Sequence, residues 1–383
     1  MRIKEIKVEG LFDMFNHTIT LNLEHRLTIV YGANGVGKTT LLRLINGIFA
    51  GSIGNHLKFF KKLQITYDNG DILYAYPDDK YNSSRPRLEL QYYEKTTTVL
   101  INGPYFMHEH FYNSYKFIPT LIETERLSKI SRNVIINANN EKGTKIENSA
   151  TLFSAELAQT IKEKTILYRK TSDDLKNSLN QRIIEKKVKT DISLHELKAI
   201  AADVEEKKQR YKSVGLLENT NGNINIPDDL NVLDKAILAV NIQDVQKQLE
   251  VYEIDNFYER LRLFIEILNE RRLSYKTISI SEGDGFIFTN DKGKNILPSE
   301  LSSGEQHELV LLYQLLFKFQ SNSLIMIDEP EMSLHITWQK AFVYDMEEII
   351  KLRNFDILLA THSPSIINGN WDITQSLDGY EEK

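Results

Sequence analysis

The chain has 383 residues, 41 % of them hydrophobic, enough to bury a sizeable core in two or three domains, or in one large domain with an insertion. It contains no cysteine, which excludes disulfides and thiolate metal sites, and its net charge of −6 argues against a protein that coats nucleic acid broadly. No apolar run approaches the ~18 residues of a membrane span and the N-terminus carries no signal-like apolar stretch, so a cytoplasmic protein with no membrane contact is expected.

Ile3, Ile6 and Val8 open a strand, and Ile19, Leu21 and Leu23 alternate along a second. Phe12 and Phe15, in the turn between them, read as core plugs, with adenine stacking as the alternative. Arg26 to Tyr31 is an apolar run that reads as a buried strand. Next comes Gly32-Ala33-Asn34-Gly35-Val36-Gly37-Lys38-Thr39-Thr40, which fits the phosphate loop G-x-x-x-x-G-K-[ST], and then a helix ended by Gly47. Residues 57–101 alternate as an antiparallel β-meander around the turn Asp68-Asn69-Gly70-Asp71. In 102–150, His108-Glu109-His110 reads as a solvated loop for want of a third metal ligand, and residues 122–127 carry a dense charge cluster.

From about 154 to 274 the period is helical. Leu157, Ile161 and Tyr168 share a face, as do Leu194, Leu197, Ala201, Val204 and Tyr211; Leu230, Leu233, Ile237 and Val240; and Leu261, Phe264, Ile265 and Leu268. Residues 156–212 hold 14 basic and 10 acidic side chains, a positive segment in an acidic chain. The basic run 182–189 reads as a solvated helix face, with a phosphate backbone or an acidic partner as the alternative. Residues 277–288 read as a hairpin around Glu282-Gly283-Asp284-Gly285.

The chemistry then resumes. Ser302 is a candidate helix N-cap, and a serine with free N–H groups at a helix start can hold phosphate. A second such site beside an existing phosphate loop is explained if it serves another chain's nucleotide. Leu324 to Glu331 reads as a buried strand that ends in carboxylates, with Pro330 stopping it, and buried acids without a cation are costly. Asp356 to Ala360 is a parallel strand that ends at Thr361-His362-Ser363-Pro364. In the loop, glycines let backbone N–H groups converge on an anion, Lys38 reaches the β- and γ-phosphates, and the Thr39 hydroxyl ligates Mg2+.

This ordered set resembles the ABC-type ATPase superfamily, with Walker A at 32–39, the signature at 301–306, Walker B at 324–329 and the switch histidine at 362. Residues 333–335 fall where that family has its D-loop. The resemblance covers roughly 1–100 and 277–365. It implies an α/β, P-loop ABC-type ATPase head, a mixed sheet with an antiparallel β-subdomain, carrying a helical insertion. The implied parts are 1–101 and 276–383 as the two halves of the head and 102–275 as the insertion. The implied nucleotide contacts are Gly32, Asn34, Gly35, Gly37, Lys38, Thr39 and Thr40 in one copy. Ser302, Ser303, Gly304 and Glu305 supply the contacts of its partner. Thr39 and Asp328 take Mg2+, Glu329 is the general base, and Lys38 and His362 act on the γ-phosphate.

The gap of 264 positions from Lys38 to Ser302 suits the RecF and structural-maintenance-of-chromosomes branch. Residues 301–316 and 361–367 look closer still to stand-alone ATPases of prokaryotic immune systems, among them the overcoming-lysogenization-defect nucleases and the PARIS and Septu ATPase subunits. Only 21 residues follow His362, so any nuclease, TOPRIM-like or HNH, is expected on a separate chain. No glutamine marks a Q-loop, and the cluster 123–126 is the candidate for that region. The implied function is ATP hydrolysis by a homodimer or higher homo-oligomer that acts as sensor or scaffold in anti-phage defence. The alternative is a RecF-like repair ATPase that binds DNA.

Overall fold

The computed structural model describes residues 1–50, 58–78, 87–94, 97–102, 119–123, 131–136, 142–184, 192–218, 224 and 226–377. His108, Glu109 and His110, residues 124–126 of the charge cluster and most of the basic run 182–189 lie outside them. In chain order the elements are β1 (Ile3–Leu11), β2 (Phe15–Thr20), β3 (Leu27–Tyr31), α1 (Lys38–Ala50), β4 (Lys62–Tyr67), β5 (Ile72–Asp78), β6 (Arg87–Glu94), β7 (Thr97–Asn102) and β8 (Thr120–Glu123). There follow β9 (Ser131–Ile136), β10 (Lys142–Glu147), α2 (Ser149–Ile184), α3 (Leu194–Ser213), α4 (Val232–Leu249) and α5 (Phe257–Glu266). The chain closes with β11 (Lys276–Ser281), β12 (Gly285–Asn290), β13 (Asn295–Ile296), α6 (Ser303–Tyr313), β14 (Leu324–Asp328), α7 (Ile336–Arg353), β15 (Asp356–Thr361), α8 (Pro364–Ile367) and β16 (Thr374–Ser376). They form two compact units, 1–129 with 311–383, and 130–310.

The first unit holds two sheets. One is all-parallel in the order β16-β3-β15-β14-β8. Every residue of β14 and β15 is buried, which is why both read as unbroken apolar runs rather than alternating ones. The other is antiparallel, β2-β1-β4-β5-β6-β7, so the meander pairs as its alternation predicts. One buried cluster joins Ile6, Val8 and Ile65 of the antiparallel sheet, Leu41, Ile45 and Ile48 of α1, and Met326 and Leu358 of the parallel sheet. Phe12 and Phe15 pack against that cluster, partly buried, and Phe12 meets Phe59 edge-on at 5.4 Å. Arg2 closes the open ends: its guanidinium forms a two-pronged pair with Asp356 at the start of β15 and donates to Leu23 O at 2.8 Å. The helix after the phosphate loop does not stop at Gly47. It runs to Ala50 with Gly47 buried inside it, because packing of Ile45, Ile48 and Phe49 outweighs the helix-breaking tendency of one glycine.

In the second unit α2, α3, α4 and α5 follow the helical periodicity. Leu197, Ala201, Val204 and Tyr211 are buried along α3, whose start is a reciprocal box between Ser193 and Glu196. In α4 the expected stripe is displaced: Leu233 is 61 % exposed, and Ala236, Ala239 and Val240 form the buried side. Small alanines let α4 pack against both α2 and α3, a demand that hydrophobicity alone does not reveal. The hairpin β11–β12 is as expected. At its turn Gly285 has φ +71°, and a Cβ there would lie 2.0 Å from Ser154 O, so the contact requires glycine. No helix among the described residues is long and apolar enough to cross a membrane.

The second unit also buries an ion pair. Arg272, at the end of the π-helical turn Ile267–Arg272, donates from Nε to Glu308 Oε2 at 2.6 Å, with both side chains almost wholly excluded from water. Removing one member takes a close counter-charge away from a side chain shut off from water. Arg272→Met should therefore lower the unfolding free energy by about 3–5 kcal/mol, and adding Glu308→Leu should recover most of the loss. Urea denaturation of the three proteins reads this out; a single variant as stable as wild type would contradict it.

Candidate functional site

β3 ends at Tyr31, and the chain turns through 32–37 into α1, whose first residue is Lys38. Gly35 and Gly37 have φ of +90° and +96°. A Cβ on Gly37 would lie 2.4 Å from Leu11 Cδ2, while one on Gly35 would meet nothing within 4 Å. Gly37 is thus required by packing as well as by conformation, and Gly35 by conformation alone. Lys38 is buried; its Nζ donates to Gly32 O at 2.8 Å and Ala33 O at 3.1 Å, which folds the ammonium into the loop. Asn34 is exposed and Thr39 and Thr40 are half-buried. His17 of β2, itself buried, places Nε2 2.8 Å from Val36 O and so props the loop from outside. No sequence signal marks His17, since its partner is a backbone carbonyl 19 residues away.

The carboxyl edge of the parallel sheet is acidic. Thr39 Oγ1 donates to Asp328 Oδ1 at 3.1 Å, joining α1 to the end of β14. Glu123, at the end of β8, is in register beside Asp328, and Arg43 of α1 holds it at 2.7 Å. Of the cluster 123–126, Glu123 therefore lies at this edge. Burial pushes the Asp328 carboxyl up to about 6; the neighbouring charges of Glu329 and Glu123 act the same way, against the Thr39 hydrogen bond and Arg43. Glu329 leaves the strand in the left-handed region (φ 45°, ψ 59°), its N–H donating to Ala360 O at 2.8 Å. For a non-glycine residue that backbone is strained, and it turns the side chain off the strand axis.

His362 follows β15 directly. Its Nδ1 lies 3.0 Å from Glu331 Oε1 and 3.6 Å from Glu329 Oε1. Glu331 was not among the residues singled out from sequence. Leu334 of the stretch 333–335 is buried, and His335 caps α7, accepting at Nδ1 from Thr337 N at 3.4 Å.

The signature residues belong to α6 and the turn before it. Ser302 Oγ and its N–H each bond Glu305 Oε2 at 2.8 Å, and Glu305 N returns to Ser302 Oγ at 3.4 Å. Glu305 also takes Lys276 Nζ at 2.7 Å. Burial pushes the Glu305 carboxyl up, but the bonds from Lys276 and Ser302 outweigh it and hold it below the usual range. Glu305 is thus committed to capping its own helix, while Ser302 and Ser303 are exposed and Gly304 half-buried.

The first-unit residues fit Mg2+ with a nucleotide. Hydroxyl and carboxylate oxygens are hard ligands. The loop has two glycines at positive φ beside a buried ammonium, and an acid held near 6 by burial gains most from a cation. No group of three or more His, Asp or Glu among the described residues is arranged to hold a metal by itself.

The Asp328 shift has a consequence for stability. Its ordinary value is 3.8, so between that value and about 6 the folded state keeps a proton that the unfolded chain has released. Stability therefore falls as pH rises through that window. Asp328→Asn should remove that slope. Without Mg2+ the variant should melt above wild type near about pH 7 and with it near about pH 4. Parallel melting curves at both pH values would contradict the assignment.

Among solved structures, the chain is similar to the Smc head domain with an extended coiled coil bound to the C-terminal domain of ScpA from Pyrococcus furiosus (13 % identity, 96 % of this chain and 91 % of that one, TM-score 0.42). It is also similar to the SMC head domain from Thermotoga maritima (12 % identity, 98 % and 94 %, TM-score 0.38). No curated protein matches. The family described as "AAA domain, putative AbiEii toxin, Type IV TA system" matches residues 27–368, from the strand before the phosphate loop to just past His362, and the chain belongs to it.

Proposed function

We propose that the chain hydrolyses ATP between two copies that meet head to head. The observation that carries this reading is the Thr39–Asp328 bond, which brings the Walker A hydroxyl and the Walker B carboxylate together beside the phosphate loop. Lys38 and the loop N–H groups hold the phosphates, with Gly32, Asn34, Gly35, Gly37 and Thr40 forming the cradle. Thr39 and Asp328 would hold Mg2+, which when bound neutralises charge on the β- and γ-phosphates. Glu329 orients the attacking water and takes its proton, and His362 contacts the γ-phosphate or that water. Ser302, Ser303 and Gly304 would cap the γ-phosphate held by the partner copy, which their exposure at a helix start supports. Glu305 supports them from behind.

Losing a general base costs ~10²–10⁴ in rate. Glu329→Gln should therefore bind ATP, turn it over at that reduced rate and accumulate as a dimer in size-exclusion chromatography with light scattering. Lys38→Ala, which loses nucleotide binding, is the monomeric control. A Glu329→Gln protein that stays monomeric in ATP and hydrolyses at the wild-type rate would refute the proposal.

The same reading extends to use. The ATPase serves as sensor or scaffold of an anti-phage defence system whose effector is a separate chain, a TOPRIM-like or HNH nuclease. The family's description, which refers to a toxin of a toxin–antitoxin system, and the motif likeness at 301–316 and 361–367 support it. A RecF-like DNA-binding role is the second reading. Arg169, Lys208 and Lys212, with Glu218 and Glu282, line one cavity of about 540 Å³ at the edge of the positive segment, and the three basic side chains favour it. The two separate on one assay. Duplex DNA that leaves ATP turnover unchanged at low salt supports the first; stimulation that fades steeply as salt rises supports the second.

A further inference from the structure

Glu331 stands two residues beyond the proposed base, in the short turn Pro330–Ser333 that folds back beneath the end of β15. It is buried, and one of its oxygens is crowded. Oε1 accepts from Thr361 Oγ1 at 2.7 Å and from the His362 N–H at 2.9 Å, and His362 Nδ1 lies 3.0 Å away. Oε2 is shut off from water and takes no hydrogen bond among the described residues. Both hydrogen bonds on this carboxylate among the described residues therefore come from two consecutive residues, one of them His362, whose ring Nδ1 also stands at ion-pair distance. Thr361 carries the arrangement further: its Oγ1 also accepts from Ser363 N at 2.9 Å, and Ser363 Oγ donates to Gln339 Oε1 at 2.8 Å.

Two carboxylates compete for the same ring nitrogen. At 3.0 Å Glu331 is within hydrogen-bond range; at 3.6 Å Glu329 is not. The competition decides what each acid is free to do. A histidine bonded to Glu329 would occupy the oxygen that must face water.

We propose that Glu331 is the positioning residue of this site: by accepting from Nδ1–H it fixes the tautomer and direction of His362, and it keeps the imidazole off Glu329. Nε2 is then the nitrogen presented to the γ-phosphate or the attacking water, as in other sites where a carboxylate orients a working histidine. Glu331 acts through His362 and touches no reacting atom. The proposal rests on the ATPase reading above.

The test is a double-mutant cycle with a spectroscopic arm. Glu331→Gln keeps the shape of the side chain and an acceptor oxygen, so folding and ATP affinity should persist, and calorimetry checks both. In the otherwise wild-type protein it should lower kcat by about 10- to 100-fold with KM little changed. In a His362→Ala background it should change kcat by less than about twofold, since the group it serves is gone. Equal losses in both backgrounds, or full activity of Glu331→Gln, would overturn the proposal. The second arm needs no turnover. Proton NMR of the nucleotide-free protein should show a low-field imidazole N–H, assigned to Nδ1 of His362 by its loss in His362→Ala and displaced in Glu331→Gln. A resonance unmoved by Glu331→Gln would refute the contact. Inactivity of the wild-type protein would instead sink the ATPase reading and leave this arm standing.

Discussion

Four carboxylates crowd the carboxyl edge of one parallel sheet: Glu123, Asp328, Glu329 and Glu331. Each would be costly there alone. Three are held by a partner from another element: Arg43 of α1 for Glu123, the Thr39 hydroxyl for Asp328, and the end of β15 for Glu331. For Asp328 the neutral hydroxyl is too little, and burial beside like charges leaves its carboxyl protonated well above the ordinary range. The edge is complete as a protein fold but undercompensated as an electrostatic one. A cation with bound phosphates is the ligand that this imbalance suits.

The phosphate loop faces the same edge and has the opposite sign. Lys38 is buried against carbonyls of its own loop, and the loop is braced by Leu11 under Gly37 and by His17 on Val36. Both braces come from the antiparallel sheet, and Arg2, just before its strand β1, clamps Asp356. The antiparallel part of the first unit therefore does mechanical work for a site built on parallel strands. That explains why strands so unlike a phosphate-loop core belong to one compact body with it.

The second unit has its own logic. Glu305 and Glu308 sit one helical turn apart on α6 and are consumed by Lys276 and Arg272. Anchoring α6 through these two acids leaves Ser302 and Ser303 exposed at its start. Charge is spent on holding the helix, and the small hydroxyl residues are left to meet a ligand.

Much of this was legible in the linear chain. The phosphate-loop pattern at 32–39 and the stretches 301–306, 324–329 and 361–364 are local motifs carried by residue type and spacing, and the buried strands β3, β14 and β15 announce themselves as apolar runs. What stayed hidden depended on residues far apart. β8 and β16 are short and polar enough to pass as loop, and only pairing beside β14 and β3 makes them strands. Gly47 looked like a helix end and Leu233 like a core residue, because neither packing depth nor the need for small alanines is written in periodicity. Glu305 read as a nucleotide contact and also caps its own helix, while Glu331 read only as the last carboxylate of the Walker B strand and lies against His362. By itself the sequence determined which groups can do chemistry, since that follows from functional groups at fixed spacing along one strand–loop–helix. The tertiary structure decided which of those groups are free to act. That depends on which carboxylate meets which donor, and such meetings join residues as far as 354 positions apart that no local pattern records.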